Sequence, residues 1–320
     1  MNGCGVIVRG EAAEDTGVDT AAAAFGTADL VWVHLDGRKA DALAWLSKQE
    51  DIPAIVRESL VAAETRPRTD VIAQGALINL RGLAETGADD GGDALVSIRC
   101  WVEKGRVISV TFRRLGALPE VRRQAAEGQF RDPGDLIAGF AVAITRALDP
   151  EVAALGDLLD DCEARLAPET GFAMRREMGR ARARAIGYRR FVAPQRQALE
   201  RLAGLDVDWL EETDRLHLRN AADRFARMAE ELEAVRERAA LMHEQLTDLR
   251  AEQIESRSLL IAIVALVFLP LTFITGLLGM NVEGIPFAHE PWAFAGVTAL
   301  CLVVALGVVG LFAAKRWFRS

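Results

Sequence analysis

Gly279-Met280-Asn281 is the stretch of this chain best suited to chemistry, and the chemistry it suits is the handling of a hydrated cation. It follows Leu259–Leu278, twenty residues without a formal charge. At a rise of about 1.5 Å per residue that segment covers about 30 Å, the thickness of a bilayer's hydrocarbon core. The glycine is expected to release the backbone from helical geometry. Carbonyl oxygens and the Asn281 side-chain oxygen can then point toward a shared axis. A ring of neutral oxygens suits a hard cation that keeps much of its water, as Mg²⁺ does, and it lacks the His or Cys that would grip bare Zn²⁺. Gly and Asn also end ordinary helices, so three residues alone leave both readings open.

The helix that carries this stretch has one distinctive side. Counted in heptads, its c and f positions inside the bilayer are Ser258, Ala262, Ala265, Leu269, Thr272, Gly276 and Gly279, and before the bilayer Glu237, Glu244, Asp248, Ala251 and Glu255. The other faces of the span carry Leu, Ile, Val and Phe almost throughout. In one reading the small residues are a close helix-packing face and the acids are the wet side of an amphipathic helix. In the other, several copies surround an axis, the stripe lines a narrow pore, and acid rings draw cations through it. A single hairpin cannot enclose a pore, so the second reading requires an oligomer. Periodicity alone does not separate the two. Glu244, Asp248 and Glu255 are also candidate cytoplasmic cation sites, because an ion bridging subunits would neutralise close carboxylates. No charge lies within the span, which argues against a buried-carboxylate proton relay.

The positioning elements follow from pattern. Leu218, Phe225, Leu232, Ala239 and Leu246 recur every seven residues, as do Ala221, Met228, Val235, Met242 and Leu249. This a/d seam predicts one helix from about Thr213 to Leu278, on the order of 100 Å long, that needs helical partners from its own chain, from other subunits, or from both. A second apolar run, Trp292–Ala314, predicts the other half of a membrane hairpin. Arg250 and Arg257 precede the first span, and Lys315, Arg316 and Arg319 follow the second; the loop between has Glu283, His289 and Glu290 but no Lys or Arg. The positive-inside rule then puts both termini in the cytoplasm and the loop outside. Trp292 and Trp317 sit at span ends, where aromatic belts form. Glu283 and Glu290, with His289, are candidates for cation capture outside, although a lone loop histidine is commonly just exposed.

Residues 1–150 read as a cytoplasmic α/β domain. Its strand candidates are Val6–Val8, Leu30–Leu35, Ala76–Leu80, Leu95–Val102 and Val107–Phe112, and its helix candidates are Ala40–Ser47, Ile52–Ala63, Glu120–Gly128 and Asp135–Ala147. Glu103-Lys104-Gly105 marks a hairpin, and Glu85–Asp93 reads as a solvated acidic loop. Asp149-Pro150 is expected to open a second region, 151–212, of paired helices interrupted at Pro168 and Gly171. The second of these is rich in arginine and is expected to pair with acids such as Asp160, Asp161 and Glu163. The stalk helix and first span occupy 213–279, the outer loop 280–291, the second span 292–314 and a basic tail 315–320. The fold class is thus an α/β cytoplasmic domain, a long stalk helix and a two-helix transmembrane hairpin.

Composition excludes other classes. The 320 residues carry a net charge of −8, against the basic faces of nucleic-acid binders. Cys4, Cys100, Cys162 and Cys301 form no CxxC and no disulfide framework. The N-terminal MNGCGVIVRG has no long apolar core of a secretory signal. There is no P-loop, no GxSxG and no metal-ligand cluster, and His34 near Asp36 reads as a structural strand end. The sequence reads as no enzyme, with no cofactor beyond a transported divalent cation. A membrane-anchored coiled-coil scaffold also explains the heptads and hairpin, but not the stripe or Gly279–Asn281.

The run LPLTFITGLLGMN, Leu269–Asn281, resembles the CorA family of divalent-cation transporters, in which GMN ends the first of two membrane helices. The resemblance extends over essentially the whole chain. It implies a homopentamer in the bacterial inner membrane whose first span lines the pore, with Asn281 as the outer selectivity ring and Thr272, Leu269, Ile261 and Ser258 at pore-lining spacing. Ile261 lies on the stripe's edge. His34-Leu35-Asp36, Glu64-Thr65-Arg66-Pro67-Arg68, Asn79-Leu80-Arg81-Gly82, Ser97-Ile98-Arg99 with Trp101, and Gly284-Ile285-Pro286 resemble the family's ZntB branch. That branch implies zinc uptake coupled to a proton gradient, for which no residue stands out. Met280 is the magnesium-type choice, and the loop lacks the acidic MPEL-like run of magnesium members. The sequence therefore leaves Zn²⁺, Mg²⁺, Ni²⁺ and Co²⁺ open, along with the direction of transport.

Overall fold

The strand candidate at Leu30–Leu35 becomes part of LVWVHLD, an interior strand of the sheet. In the computed structural model, which describes residues 3–62, 66–85, 93–165, 171–280, 284–285, 287 and 290–314, this segment is β3 (Leu30–Asp36), buried on both faces until its last residue. A strand covered on both sides reads as a continuous apolar run, as this one does. The other strands are β1 (Gly3–Arg9), β2 (Ala12–Thr16), β4 (Arg68–Ile72), β5 (Gly75–Leu83), β6 (Leu95–Glu103) and β7 (Arg106–Thr111). They form one sheet in the order β2-β1-β3-β7-β6-β5-β4. Only β3 and β7 run parallel; the remaining neighbours are antiparallel. Lys104-Gly105 closes the β6–β7 hairpin, and Gly105 takes a φ of 70° that few other residues tolerate.

Helices cover both faces. On one lie α1 (Val18–Ala22), α2 (Ala40–Ser47) and α3 (Ala54–Val61). Their Ala21, Leu46, Val56 and Leu60 pack in one cluster with Val31 and Val33 of β3 and Ile108 of β7. On the other lie α4 (Leu118–Ala126) and α5 (Pro133–Ala164), where Phe140 meets Trp32 edge-on at 5.5 Å between ring centroids. The sequence reading missed β2, β4 and α1. The first two are largely solvated edge strands with no apolar alternation, and α1 has only five residues.

The expected change of region at Asp149-Pro150 is corrected: α5 runs through it as one 32-residue helix. Pro150 forfeits one backbone hydrogen bond. Leu148, Val152, Leu155, Leu159 and Cys162 nevertheless stay buried along one side, and that burial outweighs the lost bond. Then come α6 (Gly171–Ala203), α7 (Glu212–Leu278, 67 residues) and α8 (Ala293–Ala314).

The chain divides into two compact units, and the division falls inside α7, between His243 and Glu244. In the first unit the heptad residues Leu218, Ala221, Phe225, Met228, Leu232, Val235, Ala239 and Met242 are all buried. Arg224 and Arg238 of α7 reach Asp149 (2.6 Å) and Asp160 (2.6 Å) of α5. Glu233 of α7 receives Arg189 of α6 at 2.9 Å. The two preceding helices are therefore partners of the stalk. Among the described residues, Arg184 of α6 takes Glu151, Arg196 takes Glu200 and Arg201 approaches Asp70, while Asp160 and Glu163 pair with Arg238 of α7.

Candidate cation pathway and acidic cluster

The second unit holds both apolar helices, and each is partly covered along one face only. In α7 the covered positions are Leu259, Ile263, Val267, Pro270, Leu271 and Ile274; in α8 they are Ala293, Val297, Cys301, Val304, Ala305, Val308 and Phe312. Steps of three and four are those of helices packed along their length. At about 100° per residue, the stripe Ser258, Ala262, Ala265, Leu269, Thr272, Gly276 and Gly279 points roughly 180° from the covered face of α7. Every stripe residue is exposed, and a Cβ added at Gly276 would meet nothing within 4 Å. Ile261, on the edge, is 67% exposed. The hairpin leaves its small, weakly polar side unused.

Thr272 donates its hydroxyl hydrogen to the Phe268 carbonyl at 2.7 Å. With its proton engaged in this back-bond, the Thr272 oxygen faces outward as an acceptor. An acceptor suits the water shell of a cation, whose hydrogens point away from the metal. α7 ends at Leu278, where the sequence expects the helix to end, and Gly279 is the first residue past it. Its N–H still bonds Thr275 O at 2.9 Å, and it is not among the described glycines with positive φ. A Cβ there would lie 3.0 Å from the Thr275 carbonyl oxygen, a tight contact. Met280 is half exposed. Asn281, Glu283 and His289 lie outside the described residues, as do Trp317 and the basic tail. Glu290 is exposed, and so are Glu244, Asp248 and Glu255 on α7.

Tertiary contact builds an acidic group that no spacing announced. Asp132, Asp135 and Asp214 bring carboxylate oxygens within 4.8 Å of one another. Asp132 caps α5 by accepting from Asp135 N at 2.9 Å. Asp214, in the first turn of α7, accepts from Glu211 N at 2.9 Å. Gly134 permits the approach, since a Cβ there would sit 2.3 Å from Asp214 Oδ2. Burial, reinforced by the charges of Asp132 and Asp135, pushes the Asp214 carboxyl up to about 7. The folded chain thus keeps a proton that the unfolded chain gives up near its ordinary value of 3.8. The stability this confers is full below that value and is lost as pH rises through about 7. With EDTA present, Asp214→Asn should flatten the pH dependence of thermal unfolding and raise stability at pH 8 by more than about 1 kcal/mol. An unchanged slope would contradict this assignment.

His34 and Asp36 do not form an acid–base pair. His34 is buried, its Nδ1 2.9 Å from Ser109 Oγ, and burial lowers its pKa to about 4. Asp36 instead accepts from Arg38 at 2.9 and 2.8 Å, which holds its carboxyl below the usual range. The stretches around Asn79 and Arg99 are cross-strand partners: Asn79 faces Arg99, Arg81 faces Ser97 and Leu77 faces Trp101. Gln195 of α6 binds both backbone groups of Arg81, at 2.6 and 2.9 Å. This explains why motifs some distance apart in sequence belong to one surface of the sheet. Glu64 and Thr65 lie outside the described residues.

An α/β unit joined through one long helix to a hairpin of two apolar spans defines a class, that of transmembrane proteins with a large extramembrane domain. The family is more specific. The chain belongs to the family described as CorA-like Mg²⁺ transporter protein, which matches residues 27–316. It is similar to the zinc transport protein ZntB of Pectobacterium atrosepticum, with 30% identity over 291 residues covering 89% of this chain and 87% of that protein. The ZntB of Klebsiella pneumoniae matches at the same identity and coverage. Among solved structures, full-length CmaX superposes with a TM-score of 0.79 at 28% identity, covering 98% of both chains. The CorA magnesium transporter of Methanocaldococcus jannaschii gives a TM-score of 0.81 at 17% identity over 98% of both chains, a likeness of fold. The expected fold class and family are both borne out, and the family is one of metal-ion transporters rather than enzymes.

Proposed function

We propose that this protein carries divalent cations, Zn²⁺ in preference to Mg²⁺, along the axis of a homopentamer in the bacterial inner membrane, with both termini in the cytoplasm. The observation that carries the reading is the free stripe on α7, opposite the face turned toward hairpin packing. A helix uses its smallest edge either to pack closely or to line a narrow path, and α8 does not take this edge. In a closed cyclic assembly each stripe residue becomes a ring. Ser258 and Thr272 then offer hydroxyl oxygens to a hydrated ion, Leu269 and Ile261 narrow the path, and Ala262, Ala265 and Gly276 leave room for water. Gly279, Met280 and Asn281 form the outer ring, and the Asn281 oxygen binds the ion's water. Glu283, His289 and Glu290 gather cations outside; Glu244, Asp248 and Glu255 receive them inside.

Zinc follows from the ZntB relatives and from the branch motifs on β3, β5 and β6. Met280 and the family description favour the alternative, a Mg²⁺ channel that also passes Co²⁺ or Ni²⁺. Flux into liposomes containing the full-length protein separates these. The proposal expects Zn²⁺ entry to exceed Mg²⁺ entry and to rise with an inward proton gradient. Dominant Mg²⁺ entry insensitive to pH would establish the alternative, and absence of flux for both ions would remove the transport reading.

A further inference from the structure

We propose that the crevice at the carboxyl ends of β3 and β7 binds a small phosphate-bearing anion of nucleotide size. Among the described strands, these are the one parallel pair. The chain leaving β3 goes to α2 and α3 on one face, and the chain leaving β7 goes to α4 and α5 on the other. Connections that part to opposite faces open a gap beyond the strand ends, the place where open α/β sheets take ligands. Here the gap is a crevice of about 850 Å³, within the range of roughly 300–1,000 Å³ that holds small molecules and too large for a single inorganic ion.

Its chemistry selects the ligand. Arg38 and Lys39 enter from the β3 exit, Arg113 and Arg114 from the β7 exit, and Arg122 and Arg123 from α4. Four carboxylates line the same space and hold guanidinium groups in place: Asp36 on Arg38, Asp15 on Arg122, Glu85 on Arg114 and Glu127 on Arg123. Six cations against four carboxylates give the crevice a local positive excess on a chain whose net charge is −8. Planar guanidinium groups converging from three segments match an anion with several oxygens, and phosphate accepts such forks in pairs. Leu115, Leu118 and Pro119 supply an apolar wall against which a ring can lie. His34 also lines the crevice, neutral at ordinary pH because it is buried, with its ring nitrogens turned to Ser109 and Thr111. None of these residues belongs to the proposed ion path, so the inference stands apart from transport.

Calorimetry on the full-length protein in detergent tests it, with EDTA present so that no metal bridges the ligand. ADP should bind saturably, and inorganic pyrophosphate should displace it. The double variant Lys39→Gln/Arg114→Gln should weaken ADP binding by at least about tenfold, a loss of 1.4 kcal/mol or more. Both residues are exposed, so the fold should survive, which thermal unfolding checks. Arg196→Gln, an exposed arginine on α6 paired with Glu200, should bind as the parent does. The proposal is overturned if ADP does not bind, if pyrophosphate fails to displace it, if the double variant binds normally, or if Arg196→Gln loses as much affinity.

Discussion

Phenylalanine at position 272 should stop ion flux while leaving the protein assembled. Thr272 lies on the exposed stripe with its hydroxyl hydrogen tied back to Phe268 O, so the change replaces an outward acceptor with a ring. In the proposed homopentamer, five such rings would surround a narrow axis, close the path and strip the ion's water of its hydrogen-bond partners. Gly276→Phe, one turn further along the same face, should do the same, because open space faces that position in the single chain. Val264 is also exposed, at 48%, but lies roughly 110° around the helix from the stripe's mean direction, so Val264→Phe should conduct like the parent. The measurement is Zn²⁺ entry into liposomes with oligomeric state checked by size-exclusion chromatography. Flux at the background of empty vesicles for the two stripe variants, with normal flux for Val264→Phe, is expected. Equal flux in all three would place the ion path elsewhere, and dissociation of the stripe variants would instead make the stripe a packing face.

The second large effect concerns the stalk. Phe225 is fully buried in the heptad seam, where α7 is flanked by the ion pairs to α5 and α6. Phe225→Ala should cost about 3–5 kcal/mol, the lost transfer energy together with the cavity left behind. Leu216 lies on the same helix at 53% exposure, and Leu216→Ala should change stability by less than about 0.5 kcal/mol. Thermal unfolding of the detergent-solubilised protein compares them. Similar melting temperatures for the two variants would mean that the seam is not a packed core.

The stalk was legible because its signal is long and local. The a and d residues repeat without interruption, and the same positions are buried in the structure as far as Leu246. The centre of the sheet was legible for a related reason, since β3 is a near-continuous apolar run and β7 is rich in β-branched residues. What could not be read depends on contacts between distant parts. β2 and β4 gain their strand character from one neighbour each, and their own residues are too polar to declare it. Pro150 reads locally as a helix stop, yet the burial of Val152, Leu155 and Leu159 carries α5 past it. Asp214 joins Asp132 and Asp135 only when the start of α7 meets the start of α5. The crevice likewise gathers arginines from the exits of β3 and β7 and from α4, which no local spacing connects. The small stripe was visible from heptad counting; that the hairpin leaves it uncovered required the structure.

The most direct test of the central claim is a cryo-electron microscopy map of the full-length protein assembled in lipid nanodiscs. The account predicts copies of α7 around a shared axis, with Thr272 and Gly276 of each facing a water-filled opening. A particle in which those two residues are packed against neighbouring side chains, with no opening at their level, would contradict it.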